Sequence, residues 1–262
     1  MIKAKKSLGQ NFLVDRNIIE KIVNTIQIDD KNILEVGPGT GNLTSAILKK
    51  KPKKVIVVEK DNELASILKI NFGEKIIIIN DDILEIDENK ITKEPLIVFG
   101  NLPYNISTEI LCKWILNIDD KKIWFNYLIL MFQKEVADRI ISNFNTKNYG
   151  RLSIISNWKL DIKKICDVKP SSFSPRPKID SSLLFFKPKK NFWKFKDPKN
   201  LEKITRHFFM HRRKMIKKPF NNLFKGNLKI LSDLNINPNL RPQNLSFETY
   251  YKLVSKYEAL RS

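Results

Sequence analysis

The sequence predicts an α/β fold: a doubly wound, mostly parallel sheet with helices on both faces, followed by a small all-α domain. Three observations lead there. Short apolar runs alternate with helical periodicity between Asn32 and Ala137, the signature of repeated strand–helix–strand units. The runs are rich in Ile and Val, which suits strands buried on both faces. Beyond Phe186 the composition turns strongly basic and only short amphipathic patterns remain.

In chain order, Asn17 to Ile28 carries apolar residues at Ile18, Ile19, Ile22, Val23 and Ile26, which is helical spacing. Asn32 to Val36 reads as a strand, and Leu43 to Lys50 as the helix that follows a glycine-rich turn. Val55 to Val58 is a strand ending at Glu59, Asn62 to Ile70 a helix, and Lys75 to Ile79 a strand. Leu96 to Phe99 and Thr108 to Leu116 repeat the unit. Tyr127 to Phe132 is a long apolar strand running into a helix at Gln133 to Ala137. Ile162 to Val168 and Ser182 to Phe186 read as an antiparallel pair at the sheet edge, joined by a Pro- and Ser-rich segment. Leu228 to Leu234 and Phe247 to Tyr257 are short amphipathic helices. The expected division is 1–190 for the sheet domain and 191–262 for the helical one.

The chain has 262 residues, 42% of them hydrophobic, enough for a sizeable core. The formal charge is +20 and the pI about 9.8, a balance that favours polyanionic partners, above all nucleic acid. The charge is clustered: Lys187 to Lys225 holds fourteen Lys or Arg against Asp197 and Glu202. Cys112 and Cys166 are far apart without a C-x-x-C, so neither a disulfide framework nor a zinc site is expected. His207 and His211 stand four apart but lack a third ligand, and read as part of a solvated basic face. No metal is expected. The absence of a run of about 18 apolar residues argues against a membrane span. Met1-Ile2-Lys3-Ala4-Lys5-Lys6-Ser7 leads into polar residues, so no signal peptide is expected, and the default expectation is a cytoplasmic monomer.

Gly37, Gly39 and Gly41 occupy a strand-to-helix turn, where glycine permits positive φ and close approach of a ligand to the backbone. Glu59 ends the next strand, 22 residues after Gly37, where an acid can accept both hydroxyls of an adenosine ribose. Asp82 follows the third strand and can accept the exocyclic amine of an adenine; Asp81 competes for that role. On the bland reading the glycines only permit a tight turn. A nicotinamide enzyme would need a hydride-acceptor site that nothing downstream supplies. The pattern of Glu35-x-Gly37-x-Gly39-x-Gly41 with two later acids resembles class I S-adenosylmethionine-dependent methyltransferases.

After the strand at Leu96 to Phe99 come Gly100-Asn101-Leu102-Pro103-Tyr104-Asn105-Ile106-Ser107. An exocyclic base amine is a poor nucleophile because its lone pair is delocalised into the ring. Two acceptors aimed at its two N–H bonds orient it and favour the pyramidal form. The side-chain oxygen of Asn101 and the main-chain oxygen of Leu102 are the candidates. Pro103 stiffens the turn, and Tyr104 offers a stacking face worth about 1–3 kcal/mol per base. The bland alternative is a proline turn with a buried tyrosine.

Six segments then occur in order over most of the chain: Lys6-Ser7-Leu8-Gly9-Gln10-Asn11-Phe12-Leu13, the glycine loop, Asn101 to Ser107, Gln133-Lys134-Glu135-Val136, Tyr149-Gly150-Arg151-Leu152-Ser153, and Phe173-Ser174-Pro175-Arg176-Pro177-Lys178-Ile179-Asp180-Ser181. Together they resemble the ribosomal RNA adenine dimethyltransferase family, in particular its bacterial small-subunit members. The resemblance implies a seven-stranded methyltransferase sheet with a small helical C-terminal domain. It implies that two adjacent adenosines in a hairpin near the 3′ end of small-subunit ribosomal RNA each receive two methyl groups from S-adenosylmethionine; the expected partner is that RNA within a preassembled subunit, although the sequence does not give the assembly state. It also implies donor contacts at Asn11, Leu13, Gly37, Glu59, Asp82 and Asn101, to which the glycine loop adds Gly39, and Phe173 on the far side of the target base from Tyr104. For Phe173, core packing is the competing reading.

The segment Arg206 to Lys218 interleaves cations with Phe208, Phe209, Met215 and Ile216. Read as one basic helix, it turns these apolar residues to the core and presents Arg206, Arg212, Arg213, Lys214, Lys217 and Lys218 for phosphate contacts. His211 and Pro219 depart from the pattern of the resembling enzymes. The rival functions are an amine methyltransferase acting on DNA or large-subunit RNA, and an assembly factor that has lost catalysis.

Overall fold

The computed structural model describes residues 4–5, 8–118 and 122–261. Lys6 and Ser7 of the N-terminal block, and Met1, Ile2 and Lys3, lie outside the described residues.

Five parallel strands form most of the main sheet: β2 (Asn32–Val36), β3 (Lys54–Val58), β4 (Ile77–Ile79), β5 (Leu96–Gly100) and β6 (Phe125–Gln133). With β7 (Leu160–Val168) and β9 (Ser181–Pro188) the order is β4-β3-β2-β5-β6-β9-β7. β9 runs antiparallel to β6, with Leu130 opposite Leu184. Every residue of β2 and β5 is buried, as strands covered on both faces must be. Ile33, Val57, Ile97, Phe99 and Met131 share one cluster with Ile19, Ile22 and Val23 of α1 (Arg16–Val23) and Ile47 of α2 (Asn42–Lys49). A second, two-stranded sheet pairs β1 (Phe12–Leu13) with β8 (Phe173–Ser174).

Helix ends depart from the periodicity where local chemistry intervenes. α1 stops at Val23 because the Asn24 and Thr25 N–H groups close the last turn onto Glu20 and Ile22 carbonyls; Ile28 is buried all the same. α3 (Asn62–Phe72) starts at Asp61, whose side chain accepts the Glu63 N–H, and ends at Gly73 with φ +54°. α4 (Ser107–Leu116) follows β5, and α5 (Lys134–Ile141) follows β6. The sheet strand reaches Gln133, so the helix expected from Gln133 opens one residue later.

The chain divides into two compact units: Met1–Ala137 with Asp161–Pro188, and Asp138–Leu160 with Lys189–Ser262. The single cut expected near residue 190 misses the excursion of 138–160 into the second unit. Hairpin-forming strands return the chain to the sheet at Asp161, which a composition shift cannot reveal. The second unit holds α6 (Arg151–Lys159), α7 (Lys199–Phe209), α8 (Lys217–Phe224), α9 (Lys229–Asp233) and α10 (Phe247–Ala259). Its core is aromatic: Phe208 and Phe209 pack on Tyr250, and Trp158 stacks on Phe195. The buried phenols of Tyr149, Tyr250 and Tyr251 donate to backbone carbonyls of Leu245, Pro242 and Ile154, as buried hydroxyls must find partners.

The basic segment is two helices and a turn, not the one helix expected. α7 ends at Phe209, and α8 opens at Lys217 with the Ile216 N–H bonded to Leu240 O at 2.8 Å. Pro219 lies in the first turn of α8, where its missing N–H costs nothing; inside a continuous helix it would clash with the carbonyl four residues back. Phe208 and Ile216 are buried as expected, but Met215 is 55% exposed because it sits in the turn.

Candidate functional site

β2 and β5 are the neighbours at which the sheet reverses: β3 and β4 follow on one side, β6 on the other. Open α/β sheets bind ligands at such a switch point, outside the strand carboxyl ends. Val36 pairs with Gly100, so the glycine loop and the Asn101–Tyr104 turn leave the sheet side by side. Both line one cleft of about 190 Å³.

The loop is tight. The Gly37 N–H bonds Val58 O at 2.9 Å and the Gly41 N–H bonds Pro38 O at 2.9 Å. Gly39 has φ +57°, and a Cβ there would lie 2.7 Å from Phe12 Cδ1. No other residue fits this conformation without moving Phe12. Below the loop Glu35 is buried and accepts the Thr44 hydroxyl at 2.6 Å. Burial pushes its carboxyl up to about 8; Thr44 opposes the shift and the neighbouring Glu59 adds to it.

Glu59 leaves β3 at the cleft and is buried. Its two oxygens accept the Gly39 N–H at 3.2 Å and the Asp61 N–H at 2.9 Å. Burial raises its affinity for a proton more than these amides lower it. Each oxygen retains a second lone pair, so the side chain suits a diol. Asn80 donates to Glu59 O at 2.8 Å, fixing the backbone from which the acid projects. Asp82 is half-buried and ion-paired to Lys60 at 2.6 Å, with the Leu84 N–H on its other oxygen at 3.0 Å. The Lys60 bond holds its carboxyl below the usual range. Asp81 is exposed and accepts the Asp82 N–H. Both acids line the cleft; Asp82 is the more enclosed.

The N-terminal segment closes one side. Asn42 Nδ2 donates to Leu13 O at 2.9 Å, and Asn101 Nδ2 donates to Asn11 O at 2.7 Å. With its nitrogen committed, the Asn101 amide has its oxygen as the end that can accept. Lys5 and Gln10 both bind the Asp61 carboxylate, at 2.7 and 3.0 Å. Leu102 is buried and Pro103 half-buried; Pro103 O accepts the Ile106 and Ser107 N–H groups, so the turn runs directly into α4. Tyr104 is half-buried and shares a 2.5 Å hydrogen bond with Ser181 Oγ, and burial holds its phenol above the usual range.

Phe173 departs from the reading that put it across the target base from Tyr104. Leu13 pairs with Phe173 across β1 and β8, which turns the ring inward. It is 2% exposed, clustered with Leu13, Val168 and Leu183, and is not among the cleft-lining residues. Core packing wins because a full ring is worth about 2 kcal/mol when buried. Of the basic residues, Arg206, Arg213, Lys214, Lys217 and Lys218 are exposed. Arg212 is half-buried and donates to Lys147 O, which makes it a brace of the turn.

Sequence reasoning missed Asn80, Gln10, Asp61, Ser181 and Lys113. Each acts by bonding a residue far along the chain, and only Lys113, a lone cation in the apolar stretch of α4, carries a local signal. Among the described residues no group of three His, Cys, Asp or Glu side chains is arranged to hold a metal ion, and no helix is long and apolar enough to cross a membrane.

A sequence model of the family described as ribosomal RNA adenine dimethylase matches residues 1–259. The ribosomal RNA small subunit methyltransferase A of Pelagibacter ubique (strain HTCC1062) is 65% identical over 260 residues, covering 99% of both chains. The protein of that name from Ehrlichia ruminantium (strain Gardel) is 43% identical over 256 residues, covering 95% of each. Among solved structures, a dimethyladenosine transferase from Plasmodium falciparum superposes with a TM-score of 0.80 at 27% identity, over 95% of this chain and 98% of that one. The 23S rRNA methyltransferase ErmE shares the fold, with a TM-score of 0.69 at 22% identity over 95% of this chain and 100% of its own. With one family model spanning nearly every residue and relatives this similar end to end, the chain belongs to the ribosomal RNA adenine dimethylase family.

Proposed function

We propose that the protein transfers methyl groups from S-adenosylmethionine to the exocyclic amines of two adjacent adenosines near the 3′ end of small-subunit ribosomal RNA, giving dimethyladenosines. The observation that carries this is the pairing of Val36 with Gly100: the glycine loop and the amine-binding turn open into one cleft.

The residues present fit the donor. Glu59 suits the ribose hydroxyls and Asp82 the adenine amine. Gly37 and Gly39 leave the backbone open to close approach, and Asn11, Leu13 and Asn101 border the cleft through the bonds described above. When bound, the donor supplies an electrophilic methyl on a sulfonium whose leaving group is a neutral thioether. Asn101 Oδ1 and Leu102 O accept the two amine hydrogens and turn the nitrogen lone pair toward the cleft. Tyr104 holds the base by its face. Positioning of this kind supplies most of the acceleration for such a reaction. Each transfer forms the N–CH3 bond as the S–CH3 bond breaks to the thioether, and the nitrogen then releases one proton to water. The amine keeps one hydrogen after the first, so one acceptor suffices for the second, and the space beside the turn must admit a methyl.

The unit holding the sheet is taken as catalytic. The second unit is taken as the RNA-binding part, through Arg206, Arg213, Lys214, Lys217 and Lys218, with Arg212 as support. The substrate is the RNA within a preassembled small subunit, and the protein acts as a cytoplasmic monomer. Incubation with tritiated donor tests the reading. Label is expected on undermethylated small subunits, at two adjacent adenosines by mass spectrometry. Label on large-subunit RNA or naked DNA in preference would overturn it.

A further inference from the structure

α4 begins three residues after Tyr104 and buries Ile110, Leu111, Trp114 and Ile115. Lys113 lies within this apolar run with its side chain only 20% exposed. Its ammonium has three N–H donors, and three acceptors meet it: Ile83 O at 2.8 Å, Ile86 O at 2.5 Å and Glu88 Oε1 at 2.8 Å. Glu88 is 2% exposed, and the same oxygen accepts the indole N–H of Trp114 at 2.7 Å. Two neighbouring side chains of α4 therefore clamp residues 83–88 from inside. That segment is the continuation of Asp82: the Leu84 N–H bonds Asp82 Oδ1 and the Glu85 N–H bonds Asp82 O. No surface ion pair explains the arrangement, since Glu88 is buried and the two carbonyls belong to one turn.

We propose that Lys113 is a positioning residue for the methyl donor: it fixes the 83–88 turn and so holds Asp82 where it recognises the donor's adenine amine. The same helix carries the base-binding turn at its start, so one rigid element registers the acceptor turn and the donor's purine. The proposal rests on Asp82 being the amine acceptor, and its test separates the two claims.

The experiment is a calorimetric cycle. S-adenosylhomocysteine and its analogue with hydrogen in place of the purine amine are titrated into the wild-type chain and Lys113→Met, with KM for small subunits measured in parallel. The wild type is expected to prefer the amine-bearing ligand by roughly tenfold or more, the worth of one hydrogen bond to a charged acceptor. Lys113→Met should reduce that preference to about twofold while leaving KM for the subunit unchanged, the coupling expected of residues in one network. A wild type without preference overturns the role of Asp82 itself. A wild-type preference that persists in full in Lys113→Met overturns the role of Lys113, because a merely structural lysine lowers both affinities alike. Should Lys113→Met fail to unfold cooperatively, Lys113→Gln is read in its place: it keeps two N–H donors, and an intermediate preference supports the proposal while a full one refutes it.

Discussion

The Asn101 amide nitrogen is held by Asn11 O at 2.7 Å, which leaves its oxygen as the end that accepts the substrate amine in the proposed mechanism. Asn101→Ala is expected to lower kcat for both methyl transfers by about a hundredfold or more, the scale for deleting one preorganised polar group. RNA affinity should be nearly unchanged. Near-normal dimethylation in a single-turnover assay would refute the assigned role. Glu35 gives a prediction of another kind. Burial raises its folded pKa to about 8 from 4.5, so between those values the folded chain keeps a proton that the unfolded chain has lost. Its contribution to stability is complete below about pH 4.5 and disappears as pH rises through about 8. Urea unfolding from pH 5 to 8 should show wild-type stability falling relative to Glu35→Gln, by at most about 1.4 kcal/mol per pH unit. Parallel curves for the two proteins would place the proton elsewhere.

At the scale of elements, the exposed cations at the start of α8 and in the turn before it make a prediction about salt. Replacing Arg213, Lys214, Lys217 and Lys218 by Gln should flatten the dependence of log K on log salt by roughly 0.7 to 1 for each phosphate contact removed. An unchanged slope would move the RNA contacts elsewhere. This turn also shows where the sequence misleads. Phe208 and Ile216 obey helical spacing, yet Pro219 and the polar run between them divide the pattern, and periodicity alone cannot say on which side the break falls. The sheet strands were legible because Ile and Val runs buried on two faces have few alternatives; Asn32–Val36 is the same in both readings. β1 and β8 were not, because two-residue strands owe their existence to each other. The same contrast holds at the site. Gly39, Glu59 and Asn101 lie beside strand ends and could be read locally. Phe173 could not, since its inward turn follows from its register with Leu13, and Ser181 matters only through the Tyr104 hydroxyl 77 positions away.

For the molecule as a whole, the proposed donor site and the proposed RNA contacts fall in different units of the chain. The cleft is lined only by residues from Leu8 to Ile106, all within the unit that holds the sheet. The exposed cations from Arg206 to Lys218 belong to the other unit. Ligand bound to the folded state suppresses local opening wherever its contacts would be broken. At about a hundred times its Kd, S-adenosylhomocysteine should add close to 2.7 kcal/mol of protection to the amides it orders. Hydrogen exchange followed by mass spectrometry should therefore slow in peptides covering 37–42, 59–61 and 82–88, with little change over 206–218. Addition of small subunits should reverse the emphasis, protecting 206–218 even without the donor. Protection of 206–218 by S-adenosylhomocysteine alone would show that the basic turn answers to the cleft, and the separation of donor binding from RNA binding would then be wrong.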